Sequence, residues 1–228
     1  MDPSPLRAKI LETIVRKSSL KQQVFDNTFA TFNELKDILF EMSSEWDDEL
    51  DGRIDRRVRI EYRDRGKFEA QLQVANDILI FQMHTDVFEF GSDHLIWQNP
   101  YVQADRDNSY CGLINIYNFL SDSFKFNRNA DEGYLIGRIF INRERRYFAE
   151  GKQQNSMRAM DFGKSEIGQE ALVAILESAI GFALNFDLLM PPYEENKRVT
   201  VDQFNTKMDN SKFVTGKRLD YDFDVEDI

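Results

Sequence analysis

The sequence predicts an α+β protein: an antiparallel β-sheet of about six to seven strands, two N-terminal helices and one long buried helix near the C-terminus. Three observations carry this. Apolar residues recur at helical spacing before Gly52, alternate strictly after it, and return to a near-continuous helical run after Ser165. Strands grouped between helices, rather than alternating with them, favour antiparallel pairing. No internal repeat and no linker rich in Pro, Gly or Ser divides the chain. One domain is therefore expected over 1–228: N-terminal helices in 1–52, a sheet region in 53–164, a core helix in 165–190 and a polar, acidic segment in 191–228.

Ser4-Pro5 starts the first helix, with Ser as cap and Pro at the first helical position. Leu6, Ile10, Leu11 and Ile14 follow at helical spacing. Ser19 with Gln22 three residues on reads as a capping box, hence a second helix over 19–49. Its apolar residues Phe25, Phe29, Phe32, Leu35, Leu39, Met42 and Trp46 step at a mean of 3.5. Such a period also suits a homodimeric coiled coil, although Phe is a poor seam residue and packing on the sheet is the better expectation.

After Gly52, Val58, Ile60 and Tyr62 alternate with Arg57, Arg59, Glu61 and Arg63, and Phe68 to Val74 alternates likewise. The two runs make a hairpin around Asp64–Lys67. Ile78–Phe90 is a long β-prone stretch, His94–Trp97 a short strand, and 104–109 an exposed loop. Residues 110–126 fit helix by spacing and strand by propensity, and strand is preferred. Tyr134–Ile141 and Arg146–Glu150 form a second hairpin. Ser165 caps the last long helix, which Pro191-Pro192 ends.

Composition bounds the function. The chain has 228 residues, net charge −11, 19 Phe, 8 Tyr and 2 Trp, so the core should be rich in Phe. One cysteine, Cys111, excludes an intrachain disulfide and suits a reducing compartment, so a soluble cytoplasmic protein is expected. No signal-peptide pattern opens the chain, and no apolar run reaches the ~18 residues of a membrane span. General nucleic-acid affinity is not expected of so acidic a chain. Charge is nonetheless uneven: residues 53–67 hold seven basic side chains against three acidic ones, and the last nine residues hold five acids and no base.

Nucleotide-loop, zinc-protease, C-x-x-C and serine-elbow motifs are all missing from the sequence. His84, Asp86 and His94 have ligand chemistry for Fe(II) or Zn(II) but match no tight spacing, so no metal or other cofactor is expected. Cys111 sits beside an apolar run and reads as a buried thiol. The binding candidates are basic and aromatic. Arg57, Arg59 and Arg63 share the outer face of a strand; Arg138, Arg143 and Arg145 cluster with Glu144 and Tyr147 around the second hairpin. Tyr221 and Phe223 belong to a terminal run in which Leu219, Tyr221, Phe223 and Val225 alternate with Asp220, Asp222, Asp224 and Glu226. That run suits an edge strand or a linear motif offered to another sheet, or a tail facing the Arg57/Arg59/Arg63 surface. The expected function is a non-catalytic protein-interaction protein: an adaptor, chaperone-like factor or assembly subunit. The alternative is an enzyme or small-anion-binding protein with an Arg/Glu/Tyr-lined pocket.

Overall fold

The computed structural model describes residues 4–55, 57–129, 131–151 and 159–186. A single helix, α1 (Pro5–Leu50), leads into six strands: β1 (Ile60–Asp64), β2 (Glu69–Val74), β3 (Asp77–Met83), β4 (Cys111–Leu120), β5 (Tyr134–Asn142) and β6 (Tyr147–Gly151). Short helices α2 (Pro100–Ala104) and α3 (Ser121–Lys125) sit in the connections, and α4 (Gln169–Asn185) closes the described chain. The strands form one antiparallel sheet in sequence order, each pairing with the next. The α+β expectation and, among the described residues, the strand count therefore hold.

Period-2 alternation fixes which side of each strand is buried. Ile60 and Tyr62 of β1, Ala70, Leu72 and Val74 of β2, and Leu79, Phe81 and Met83 of β3 all face α1. Ile114 and Ile116 of β4 and Ile139 and Ile141 of β5 extend this face, and Leu172, Leu176 and Ile180 of α4 complete the core above it. An extra residue, Ile136, bulges from β5 opposite Ile116 and Tyr117. The bulge lets Ile136 and Ile139 share the helix-covered face despite their odd spacing, while Phe140 lies on the other side. There Ile96, Val102, Cys111, Phe140, Phe148 and Phe162 make a second, smaller core under the β3–β4 connection.

Contrary to the expected pair of N-terminal helices, α1 is one helix of 46 residues, about 69 Å long at 1.5 Å per residue. Ser19 does not start a new helix. A capping-box pattern permits a start but does not break a helix already running, and neither Ser18 nor Ser19 is a Gly or Pro. Counted along the face that meets the sheet, Leu6, Ile10, Ile14, Lys17, Leu20, Val24, Thr28, Thr31, Leu35, Ile38 and Met42 cover 36 residues in ten steps, 3.6 per step. The stripe is continuous, but its burial is not. Leu20 and Val24 onward are buried; everything from Leu6 to Ser19 is exposed.

The buried stretch is held closely. A Cβ on Gly112 would lie 2.1 Å from Thr28 Oγ1, so the glycine lets β4 and α1 touch. Asn27 Nδ2 donates to the carbonyls of Asn142 (3.2 Å) and Arg143 (2.6 Å) at the β5–β6 turn. Lys36 Nζ donates to Asp64 Oδ1 (2.8 Å) and the Gly66 carbonyl (2.6 Å) at the β1–β2 turn. The apolar stripe over 19–49 thus packs on this chain's own sheet, the better of its two expected uses, with Phe32, Leu35, Ile38, Leu39 and Met42 in the core.

Three further expectations change. The C-terminal helix begins at Gln169, after Gly168, because Ile167 N–H bonds the Arg145 carbonyl (2.9 Å) and Arg146 bridges Glu166, which keeps 166–167 extended past Ser165. It is buried along one face only, at Leu172, Leu176, Ile180 and Ala183, and Leu184 is exposed; residues 187–190 lie outside the described set. His94–Trp97 is not a strand: the chain forms a 3-10 turn over Leu95–Gln98, capped by His94 Nδ1 accepting from Ile96 N–H (3.1 Å). Residues 104–109 are an exposed loop only in part: Ala104, Asp105 and Arg106 are exposed, but a 3-10 turn over Arg106–Ser109 buries Asn108 and Ser109.

Candidate functional site

The sequence-predicted sites mostly turn out to be structural ties. His84 Nδ1 accepts the Asp86 N–H (3.0 Å) and its ring edge meets Phe88. His94 caps its own turn, lies against the Phe90 ring, and places Nε2 3.5 Å from Glu150. Each histidine thus serves local structure, and among the described residues no three His, Cys, Asp or Glu side chains gather to hold a metal. Cys111 is wholly buried, and burial pushes its thiol pKa far above the ordinary value, so it is no nucleophile.

The arginines of the second hairpin are also occupied. Arg143 pairs with Asp105 (2.6 Å), and Arg145, at the positive-φ position of the β5–β6 turn, pairs with Glu34 of α1 (2.8 Å). Glu144 accepts from the Tyr101 hydroxyl (2.7 Å), which accepts in turn from Asn142 Nδ2 (2.8 Å). Burial pushes the Tyr101 pKa upward, so that hydroxyl stays a proton donor. Arg143, Glu144 and Arg145 fasten the hairpin to the β3–β4 connection and to α1. They do not converge on a pocket.

A cleft of about 700 Å³ does lie between α4 and strands β5 and β6. Of the clustered residues only Arg138 and Tyr147 reach it, beside Glu150, Glu177 and an apolar floor that includes Ile136, Ala171 and Phe182. No histidine or cysteine lines it, so it offers no thiol or imidazole for nucleophilic or acid–base work.

On the outer strand, Arg57 lies before β1 and pairs with Asp55 (2.8 Å), and Arg63 pairs with Glu61 (3.0 Å). The hydrogen bond to Arg57 holds the Asp55 carboxyl below its ordinary range, and the bond to Arg63 does the same for Glu61. Arg59 is exposed. This surface carries its own counter-charges. Tyr221 and Phe223 lie outside the described residues.

No family model matches the chain, and no match was found among curated proteins or solved structures.

What the geometry presents is the first four turns of α1. Ser4 Oγ accepts the Arg7 N–H (3.3 Å) and caps the helix in solvent. Leu6, Ile10, Leu11, Ile14 and Val15 are then exposed, from 49% at Ile10 to 68% at Leu6. Five of the thirteen exposed large apolar side chains among the described residues fall in these ten positions. An isolated helix this short is marginal in water; here it is the end of a long helix anchored on the sheet. Its ties to the body are Arg16 to Asp107 (3.2 Å) and Lys17 over the Tyr110 ring. The segment is basic: Arg7, Lys9, Arg16, Lys17 and Lys21 stand against Glu12 alone, in a chain of net charge −11. Arg7 lies one turn before Ile10 and Leu11, and Lys17 one turn after Ile14, so cations bracket the apolar stripe. Sequence reasoning found these apolar residues but assigned them to a helix like any other. The spacing of Leu6, Ile10 and Ile14 matches that of the buried stretch, and only the position of the sheet edge, near Leu20 and Tyr110, separates the two; Leu11 and Val15 widen the exposed apolar surface beside them.

Proposed function

We propose that this protein is a non-catalytic interaction protein whose docking element is the exposed stripe Leu6–Val15 of α1, and that its partner offers an apolar segment flanked by acids. The observation that carries this reading is the continuity of the stripe: the face that buries Val24, Leu35 and Met42 on the sheet runs on through Leu6, Ile10 and Ile14 with nothing beneath it among the described residues. Contiguous exposed apolar surface of this kind marks interaction sites, and i, i+4, i+7 anchors are how helices engage grooves and other helices. The basic residues that flank it select an acidic partner and speed its encounter.

The absence of convergent chemistry among the described residues supports a binding role over an enzymatic one. Arg143 and Arg145 are used in structural ion pairs, and the α4 cleft retains only Arg138 and Tyr147 of the anion-binding set.

The test compares the full-length chain with its Ile10→Ser/Ile14→Ser variant. Proteins recovered at native expression levels are quantified for both, and a photoreactive residue at Leu11 identifies what touches the stripe. The expected result is an acid-rich partner crosslinked at Leu11 and lost in the variant at unchanged stability. A variant that retains every wild-type association, with no crosslink at Leu11, would overturn the proposal.

A further inference from the structure

We infer that the C-terminal residues 219–226 of this chain occupy the α1 stripe when no partner is bound, so that the docking element carries its own competitor. This rests on the stripe being an interaction surface, as proposed above, and adds what covers it.

The argument is complementarity of two features of one chain. The stripe offers Leu6, Ile10, Leu11, Ile14 and Val15 among basic residues. The terminal segment offers Leu219, Tyr221, Phe223 and Val225, alternating with Asp220, Asp222, Asp224 and Glu226. The apolar face of the extended segment would meet the stripe, while its acids, on the opposite face, would add longer-range attraction to the surrounding basic residues. Spacing agrees as well. Alternate residues of an extended chain repeat about every 6.6 Å, while residues four apart on a helix repeat about every 6.0 Å. Over the two steps from Leu6 through Ile10 to Ile14 the drift would be only about 1 Å, so three of the four alternating residues can be matched.

Reach is not limiting. Thirty-two residues separate Phe186, the last described residue, from Leu219. At ~3.3 Å per residue they can extend about 105 Å, more than the length of α1. Tethering gives the segment a millimolar effective concentration, so weak intrinsic affinity suffices to keep the stripe covered. The other basic surface, around Arg57 and Arg63, is a poorer seat because those two arginines already pair with Asp55 and Glu61 and, among the described residues, no apolar stripe of comparable length accompanies it.

The experiment uses the full-length chain carrying an environment-sensitive dye on Ala8→Cys, an exposed position one turn before Leu11. Cys111 is buried and does not compete for the label. The second protein is the same chain with Tyr221→Ser/Phe223→Ser, and the probe is a synthetic peptide of residues 217–228. In the parent the dye should report an apolar, shielded environment that does not depend on protein concentration. In the Tyr221→Ser/Phe223→Ser chain the emission should shift to that of an exposed dye, and the peptide should restore it saturably, with affinity falling at least about tenfold between 50 and 500 mM salt. Identical spectra for the two chains, with no response to peptide, would overturn the inference. Shielding that appears only as concentration rises, together with a dimer by light scattering, would also overturn it, because the segment would then be acting between copies. Partner capture separates this inference from the proposed function. If Ile10→Ser/Ile14→Ser loses the partner while Tyr221→Ser/Phe223→Ser captures no more than the parent, the docking role stands and the competitor falls. If Tyr221→Ser/Phe223→Ser captures the partner several-fold more strongly, both stand.

Discussion

Two stretches of α1 share one helix, one period and one face, yet differ in what they do. From Leu20 to Met42 the stripe is sealed on the sheet, with Val24, Phe32, Leu35 and Leu39 fully buried. From Leu6 to Val15 the same stripe is open. Helical periodicity reports that a face must be covered; it does not report by what. In the first stretch the cover is this chain's own β-strands, and in the second, on the reading proposed above, another segment. Substitutions in the two stretches should accordingly separate stability from binding.

The largest effect belongs to the buried stretch. Phe32→Ala should lower unfolding free energy by about 3–5 kcal/mol, a large part of a typical ~5–15 kcal/mol total, measured by urea denaturation. A loss below about 1 kcal/mol would mean that α1 is not seated as described.

Next is the close approach that seats it. Gly112→Ala should cost about 1–3 kcal/mol, because the new Cβ meets Thr28 Oγ1 at 2.1 Å. Thr28→Ala should relieve part of that cost, so the two substitutions should be non-additive in a double-mutant cycle.

Titration should show a smaller effect, confined to the anchored part. Lys36 holds the Asp64 carboxyl below its ordinary range, with help from the Gly66 N–H. The Asp107 N–H and then Arg143 do the same for Asp105. A depressed folded-state pKa stabilises above the unfolded value and is lost as pH falls through the folded one, so stability should decline below about pH 4. At the other extreme, burial pushes the Tyr62 hydroxyl up to about 12. A raised pKa stabilises fully below the unfolded value of 10.0 and is lost between there and about 12. Chemical denaturation across pH should show both flanks, and Tyr62→Phe should flatten the alkaline one.

The smallest stability effect is expected in the open stretch. Ile10→Ser/Ile14→Ser should change unfolding free energy by no more than about 0.5 kcal/mol, since Ile and Ser have similar helix propensities and neither side chain is buried in the described chain. A larger loss would show that the stripe is packed within the folded body.

Much of the fold was legible because strand alternation is a local signal with a global consequence. Ile60/Tyr62 and Leu72/Val74 alternate with polar neighbours, Ile139/Ile141 flank Phe140 in a β-prone run, and both hairpins follow from these runs together with the turns at Gly66 and Arg143–Arg146. Other features were illegible for equally physical reasons. Ser19 carries a cap signal that a continuing helix simply ignores. His94–Trp97 has strand-like residues, but the His94 imidazole and the Trp97 Nε1–H, which bonds the Gly91 carbonyl at 2.7 Å, close a turn instead. The bulge at Ile136 reverses facing without a sequence mark, so the burial of Ile136 on the same face as Ile139 could not be read. Arg143 and Arg145 looked like ligand-binding residues because arginine forks suit anions. Their anions are Asp105 and Glu34, distant in sequence. The open stripe was visible as residues and invisible as a surface, since exposure depends on where the sheet ends.

The most direct test of the docking claim is site-specific photo-crosslinking in the full-length protein at native abundance, with the photoreactive residue at Ile14 and, as control, at Glu12 on the other side of the same helix turn. The account predicts adducts from position 14 to acid-rich segments, whether of a partner or of residues 219–226, and few from position 12. Equal and sparse adducts at both positions would contradict it.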